Sequence, residues 1–299
     1  MKHMIALAGL CTIFLSCAGT QVVPNDTKSD TQPRLEVLAT NEIQKKNEQT
    51  VAKKTITIQI PVEVKSVVKF ADNTIDEYTV SVWDEKRWVL QNQTRYSASG
   101  AVLEKIEYFY VGNQLAEKVI KDRDDKIVSR RAYSYNANGL LIGENVTDAN
   151  GKLVSSYEYV YDNQKNKISW IVKDNNNSKV AETKYTYING KVRSAVLTDA
   201  TDKKNGSSVY DYDSNGNLSQ VSYFNALDSL LRKEFSYWDK GLLVKEERTS
   251  AGGQVLQRTT YEYGPNKELV RKIVEDLQGK SKQIVEFEYS IRTETKVVE

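Results

Sequence analysis

The stretch YDYDSNGNLSQV, residues 210 to 221, decides the fold of this chain. Aromatic and polar residues alternate at its start, as in a strand with one apolar and one wet face. Asp213 to Gly216 then supplies Asp-x-x-Gly, a tight-turn sequence in which glycine adopts a positive φ at little cost. A second strand-like run starts at Leu218. The stretch therefore predicts a β-hairpin, and its Tyr-x-Tyr recurs elsewhere in the chain.

The aromatic pair recurs at a nearly constant period of 25 or 26 residues. Its second members are Tyr110, Tyr135, Tyr161, Tyr187, Tyr212, Tyr237, Tyr263 and Tyr289. Another aromatic residue stands two positions before each of them: Tyr108, Tyr133, Tyr159, Tyr185, Tyr210, Phe235, Tyr261 and Phe287. A fixed period in this range is typical of repeat architectures, in which every copy is one supersecondary unit.

Each copy contains two strands and two turns. Turn sequences follow the pairs, such as NANG after Tyr135, and a second set lies midway between pairs, such as DANGK around Gly151. Connections this short make consecutive strands antiparallel neighbours. The sequence therefore predicts an all-β fold, a repetitive antiparallel meander of about 16–20 strands. Two geometries fit this pattern: a curled or spiral sheet with an incomplete interior, and an open single-layer sheet.

Both rings of a Tyr-x-Tyr pair lie on the same face of their strand, because side chains alternate. The residue between them is often polar, as in Ser134, Thr186 and Asp211. We therefore expect one aromatic stripe on one face of the sheet, made of the sixteen pair residues given above. This stripe is the candidate binding surface, since flat aromatic faces stack on sugar or peptide ligands. The alternative is that the rings only pack across strands and stabilise the sheet.

The first seventeen residues, MKHMIALAGLCTIFLSC, have the pattern of an export signal. Lys2 precedes an apolar run that is too short to span a bilayer and matches a signal-peptide core. The end of the run, Phe14 to Cys17, resembles a bacterial lipobox. This resemblance implies that Cys17 is acylated, becomes the new N-terminus and anchors the protein to a membrane. Ala18 follows in place of an aspartate, and resemblance to the lipoprotein sorting rule then favours the outer membrane.

The chain divides into four segments on this interpretation. Residues 1–16 are the signal peptide, and 17–52 are the lipidated cysteine and a flexible tether, because Pro24, Pro33 and many polar residues leave little to bury. Residues 53–107 contain strand-like runs and are predicted to form an N-terminal β capping region. Residues 108–299 form the repeat array.

The composition excludes several functional classes. The 299 residues have a formal net charge of +2, so no electrostatic footprint for nucleic acid is present. The only histidine is His3 and the only cysteines are Cys11 and Cys17. After signal cleavage no histidine remains and the one cysteine is acylated, which removes Ser-His-Asp, Cys-His and histidine metal sites. We therefore predict a protein that is not an enzyme and holds neither metal nor cofactor.

Carboxylates are the chemistry that remains. Aspartate-rich turns at Asp122–Lys126 and Asp213–Asn217 offer oxygen ligands, but neither has a full calcium loop with a bidentate carboxylate at the required offset. Glutamate pairs occur at Glu246 and Glu247 and at Glu286 and Glu288. Such pairs could serve glycoside hydrolysis if the fold placed them at a catalytic separation. Turn formation and solvated strand charge are the simpler explanations.

The segment YDYDSNGNL, residues 210 to 218, resembles the YD or Rhs repeat of bacterial surface and toxin proteins. Tyr161 and Asp162 keep the Tyr-Asp pair but lack the glycine, and the period is several residues longer than that family's. The resemblance covers about residues 78–299. It implies a spiralling β-sheet in which tyrosines stack between strands, and it implies no activity. A lipid-spanning barrel is disfavoured, because charges fall throughout VIKDRDDKIVSRR (residues 119–131) and the chain ends without a terminal aromatic residue.

These observations lead to one functional expectation and two alternatives. We expect a lipid-anchored, non-catalytic bacterial cell-envelope protein, with the outer membrane favoured, whose sheet is a binding or structural module for a protein or glycan ligand. The first alternative is a carboxylate-dependent envelope hydrolase that acts on glycan or cell wall. The second is a scaffold for periplasmic assembly or transport.

Overall fold

The computed structural model describes residues 54–298, which form eighteen β-strands joined by short turns. The predicted all-β antiparallel meander and its strand number are confirmed. The strands are β1 (Lys54–Phe70), β2 (Ile75–Trp83), β3 (Leu90–Ser97), β4 (Val102–Val111), β5 (Gln114–Asp122), β6 (Ile127–Tyr135), β7 (Leu141–Asp148), β8 (Leu153–Tyr161), β9 (Lys167–Lys173), β10 (Lys179–Ile188), β11 (Lys191–Asp199), β12 (Lys204–Tyr212), β13 (Leu218–Asn225), β14 (Leu230–Asp239), β15 (Leu242–Ser250), β16 (Val255–Tyr263), β17 (Leu269–Asp276) and β18 (Ser281–Val298).

The sheet closes on itself, because β1 pairs with β18 as well as with β2. The meander is therefore a barrel. The two predicted geometries, a curled or spiral sheet and an open single-layer sheet, are both wrong. Closure gives the first and last strands a partner and so removes the exposed edges that an open meander would keep. The predicted capping region, residues 53–107, supplies β1 to β3 and most of β4, which are strands of the same barrel.

The barrel is wide, and no described strand crosses its bore. The register offsets between neighbouring strands add up to a shear of about 18 residues, equal to the strand number. That shear corresponds to a strand tilt of roughly 35° and a backbone radius of about 16 Å. Within residues 54–298 each strand approaches only its two neighbours, so none crosses the bore. For a round cross-section, the side chains of such a wall leave an opening of roughly 20 Å.

The tyrosine face of the wall is the inner, concave one. Along β6 and β10 the paired tyrosines are half-buried, whereas Ser134 and Thr186 between them are exposed. Burial is the main cause that raises the pKa of Tyr185 and lowers the pKa of Lys167, which both lie on this face. Side chains on a concave surface are closer together, and therefore more buried, than those on a convex surface. The tyrosine face is the more buried one, so it lines the bore.

The outer face carries rows of ion pairs at mid-strand. Examples are Lys121 with Glu107 at 2.6 Å, and Arg130 with Glu117 at 3.1 Å. The aliphatic portions of these side chains cover small apolar residues: Val119 pairs across strands with Glu107 and Arg130 and is only 2% exposed. These mid-strand ion pairs differ from the apolar surface that a lipid-facing barrel needs at this depth.

The described portion of the chain contains no helix that is long and apolar enough to cross a membrane.

The start of β1 and the end of β18 extend beyond the barrel as a two-stranded ribbon. Residues 54–63 pair with 289–298, and in this range β1 has no second neighbour. Pro61 lies in the ribbon, where an edge strand tolerates a residue without a backbone N–H. The two ends of the described chain, Lys54 and Val298, therefore lie side by side at the tip of this ribbon.

Candidate binding surface on the inner wall

One end of the barrel is bordered by a ring of aromatic side chains that we call the aromatic belt. It comprises Trp83, Tyr110, Tyr135, Tyr161, Tyr187, Tyr212, Trp238, Tyr263 and Tyr289. Eight of them donate a side-chain hydrogen bond to the backbone carbonyl of the residue 20 positions earlier, at 2.8–3.0 Å. Tyr110 makes a hydrogen bond with the backbone of Leu90, which has the same spacing.

The belt exists because every hairpin has a β-bulge at this end. On β12 the register with β13 shifts between Asp211 and Tyr212, and equivalent shifts precede the belt residue on the other even-numbered strands of β2 to β16. A bulge disrupts the ladder and leaves a backbone group without its strand partner. The belt residue of the next hairpin donates to the carbonyl beside that shift. Each belt side chain thereby links its own hairpin to the preceding hairpin.

The predicted stripe is wrong by one residue on β14. Trp238 occupies the belt position, and its Nε1 donates to the carbonyl of Leu218 at 2.8 Å. The register shift lies between Tyr237 and Trp238, so Tyr237 falls on the outer face, where its hydroxyl donates to Glu247. Phe235, two residues earlier on the same strand, also lies on the outer face. The spacing between aromatic pairs varies by one residue, from 25 to 26. Because residues 237 and 238 are both aromatic, this spacing could not decide which of them occupies the belt position.

Trp83 is a belt member that the tyrosine pattern missed. Its Nε1 donates to the carbonyl of Glu63 at 2.8 Å, which continues the spacing of 20 residues into the first hairpin. An aromatic residue just before a turn was the available signal.

A second ring lies one step further into the bore, two residues before each belt position on β4 to β18. This inner ring comprises Tyr108, Tyr133, Tyr159, Tyr185, Tyr210, Tyr261 and Phe287, with Ser236 at the position on β14. Burial raises the pKa of Tyr133 to about 12, so the phenol stays protonated and can donate at any physiological pH. Tyr108 donates to Gln93 at 2.6 Å and Tyr159 to Glu144 at 2.6 Å. Fourteen of the sixteen predicted stripe residues therefore do line the bore.

Four acidic side chains on the inner wall are compensated by neighbours. Glu144 is buried, pairs with Arg131 at 2.8 Å and accepts the hydroxyl of Tyr159. Glu234 lies 3.3 Å from both Arg232 and Arg248. The same pattern holds for Glu77, which pairs with Arg95 at 2.7 Å, and for Glu246, which accepts the hydroxyl of Tyr261.

Three inner lysines have a different environment, because they lie over tyrosine rings and form no ion pair within the described residues. The Lys167 ammonium is 5.6 Å from the ring centre of Tyr159 and 5.1 Å from that of Tyr185. Lys118 lies 5.8 Å from Tyr108, and Lys272 lies 5.9 Å from Tyr261. Within residues 54–298 none of the three has an ion-pair partner. Burial lowers the pKa of Lys118 and of Lys167.

The densest aromatic cluster of the inner wall lies on β8 and β9. Tyr157 and Trp170 are stacked with ring centres 6.2 Å apart, and the Arg131 guanidinium lies 5.5 Å above Tyr157. The Trp170 Nε1 is buried and has no hydrogen-bond partner within the described residues. This cluster presents a flat π surface on the strands that neighbour and carry Lys167.

The predicted carboxylate pairs are not assembled into acid–base pairs. Glu246 faces the bore, whereas Glu247 faces outward and pairs with Arg258 at 2.9 Å. Glu286 and Glu288 both face outward and pair with lysines of β1. The Asp122 and Asp213 carboxylates accept backbone N–H groups of their own turns. In the described portion of the chain no group of three or more His, Cys, Asp or Glu residues could hold a metal ion. Cys17 lies outside the described residues.

Comparisons with known proteins give structural similarity only. No family model matches the chain, and no curated protein matches it. Among solved structures, a porin-like protein from Bacteroides uniformis is 10% identical, covers 76% of this chain and 98% of its own, and has a TM-score of 0.41. A porin-like protein from Bacteroides vulgatus is 11% identical with a TM-score of 0.29, at 76% and 98% coverage.

A Tc holotoxin pore from Photorhabdus luminescens is also similar, at 16% identity and a TM-score of 0.33. The match covers 80% of this chain and 16% of the toxin chain. All three TM-scores are below 0.5, so none of these similarities bears on the function of this chain.

Proposed function

We propose that this chain is a lipid-anchored, non-catalytic protein of the bacterial cell envelope that binds an extended ligand along the inner wall of its barrel. One observation carries the proposal: no strand of residues 54–298 crosses the bore, and its wall presents two rings of aromatic side chains with polar tips. A wall that served only to stabilise the sheet would not need an open bore of roughly 20 Å. Aromatic faces that are held rigidly bind ligands at a low entropic cost.

The location rests on the sequence. The lipobox-like ending at Cys17 and the polar segment 17–52 supply an anchor and a tether, and Ala18 favours the outer membrane. The outer face of the barrel supports a tethered protein over an embedded one, because its mid-strand ion pairs suit water and not lipid. The resemblance to YD or Rhs repeats agrees with a surface or envelope role.

The anchor is tested by replacing its acyl acceptor. Full-length protein with Cys17→Ser is expected to leave the membrane fraction and appear in the soluble fraction after cell lysis, whereas Cys11→Ser stays with the membrane. A Cys17→Ser variant that still partitions into membranes would contradict the anchor. Protease treatment of intact and lysed cells then reports which side of the envelope the barrel faces.

The binding wall is tested with matched substitutions on one strand. Tyr185→Ala removes an inner-ring side chain, and Val180→Ala removes an exposed outer side chain of the same strand. Titration of glycan and peptide fragments, followed by intrinsic tryptophan fluorescence, is expected to show saturable binding that Tyr185→Ala weakens at least tenfold. Equal affinity in both variants would exclude the inner wall. Ligand turnover that Glu246→Gln abolishes would establish the hydrolase alternative.

A further inference from the structure

The inner wall has a specific imbalance of charge. Glu77, Glu144, Glu234 and Glu246 are matched by arginines or by a tyrosine hydroxyl. Within residues 54–298 the ammonium groups of Lys118, Lys167 and Lys272 form no ion pair and lie over tyrosine rings, with Glu104 near Lys118 and Glu144 near Lys167 only as more distant charges. A cation–π contact offsets some of the cost of removing an ammonium from water, but less than a carboxylate does. These three lysines therefore retain an unmet preference for an anion.

The three lysines are also spread round the bore. They lie on β5, β9 and β17, so Lys118 and Lys167 are separated by four strands, which is roughly 19 Å along the wall. Each ammonium reaches the level of the inner ring, as its contacts with Tyr108, Tyr159 or Tyr261 show. One small anion cannot contact all three. A chain that carries several anionic groups at intervals can.

The groups between the lysines suit a sugar chain. Tyrosine faces stack on pyranose rings, and the tyrosine hydroxyls are hydrogen-bonding groups for sugar hydroxyls. The stacked pair Tyr157 and Trp170 adds a larger aromatic platform, and Trp170 lies on the same strand as Lys167. A peptide chain would need backbone partners, and the described inner wall offers side chains because its own backbone groups are engaged in the closed sheet.

We propose that the ligand of the inner wall is an acidic oligosaccharide, a sugar chain with carboxylate groups, which Lys118, Lys167 and Lys272 bind by charge and the inner-ring tyrosines bind by stacking. This inference rests on the proposed function, since it names the ligand class of the same surface. The acidic groups of the sugar act as the counter-ions that the lysines lack.

The test uses the full mature chain and three fluorescent probes: an oligogalacturonate, its methyl ester of the same length, and a polyglutamate of similar charge. Anisotropy titration is expected to show the oligogalacturonate binding at least tenfold more tightly than the ester and the polyglutamate. Its affinity should also fall as ionic strength rises. Equal binding of acid and ester overturns the charge assignment, and equal binding of polyglutamate overturns the sugar assignment.

A charge-matched pair of variants assigns the effect to the bore. Lys167→Gln is expected to weaken oligogalacturonate binding at least tenfold, Lys167→Arg to restore most of it, and Lys233→Gln on the outer face to leave it unchanged. Far-UV and near-UV circular dichroism verifies that each variant is folded. If neutral glycans or peptides bind and the acidic probe does not, the inference fails and the proposed function stands. If no glycan or peptide probe binds, both fail.

Discussion

At the scale of single residues, the barrel depends on a hydrogen bond that each hairpin makes to the one before it. Trp238 shows this clearly, because it replaces tyrosine in the aromatic belt and still donates to a carbonyl 20 residues earlier. The belt position requires a large flat side chain with a donor near its end. The hydroxyl of tyrosine and the Nε1 of tryptophan both meet this requirement, whereas phenylalanine does not.

Neighbouring aromatic residues on β14 are therefore expected to differ in their effect on stability. Trp238→Phe removes the donor to Leu218 and should lower the free energy of unfolding by about 1 kcal/mol. Tyr237→Phe removes an exposed hydroxyl on the outer face and should change it by less than about 0.5 kcal/mol. Urea unfolding followed by circular dichroism measures both. A larger loss for Tyr237→Phe would show that the register of β14 is shifted by one residue.

The buried tyrosines predict an alkaline limit to stability. Burial raises the pKa of Tyr133 and Tyr187 to about 12, above the ordinary value near 10. A raised pKa means that folding favours the protonated phenol, so this contribution is complete below pH 10 and is lost between pH 10 and about 12. Tyrosinate absorbance against pH should show a late, cooperative phase that coincides with unfolding. The chain in denaturant is the control, and a single step near pH 10 with the fold intact would contradict the prediction.

At the scale of elements, the turn sequences explain the Tyr-Asp pair of the repeat. In Tyr212-Asp213 the tyrosine joins the belt, while the Asp213 carboxylate accepts the backbone N–H groups of Asn215 and Asn217. Tyr161-Asp162 is built in the same way. The fourth residue of these turns has a positive φ: it is glycine at 216, with φ of 84°, and lysine at 165, with φ of 66°. The turn geometry thus tolerates the loss of the glycine.

Two equivalent turns allow the cost of that lysine to be measured. Lys165→Gly relieves the left-handed backbone and should raise the free energy of unfolding by about 0.5–1 kcal/mol. Gly151→Ala imposes the same strain at the matching position, where the new methyl group meets nothing within 4 Å, and should lower it by about 1 kcal/mol. Thermal unfolding of both variants tests the pair. If the two changes have the same sign, backbone strain is not what separates these turns.

At the scale of the whole molecule, closure is the property that local sequence could not supply. The period, the turns and the alternation of the strands follow from residues within one copy, and they predicted the meander and most of the inner stripe. Closure depends on Lys65 meeting Glu288, which are 223 residues apart in the chain. It also depends on the total shear of the barrel, which is the sum of the register offsets between all neighbouring strands. No single hairpin contains either quantity.

Closure has a direct chemical test. Lys65→Cys and Glu288→Cys, combined in a chain that starts at residue 18 and has no other cysteine, should crosslink within the molecule on mild oxidation because the two residues are paired neighbours. The control pair Lys65→Cys and Glu158→Cys should not crosslink, since these residues lie on distant strands. In an open sheet β1 and β18 would be opposite edges, so failure of the first pair to crosslink would exclude the closed barrel.

The ribbon of β1 and β18 has a mechanical consequence for a protein held at its N-terminus. Tension that enters at Lys54 runs along β1, whereas the hydrogen bonds to β18 lie across that direction. The sixteen paired positions therefore share the load at once and do not break in succession. Peeling would need a pull at right angles to the strand. Under such a pull the ribbon acts as a shear joint.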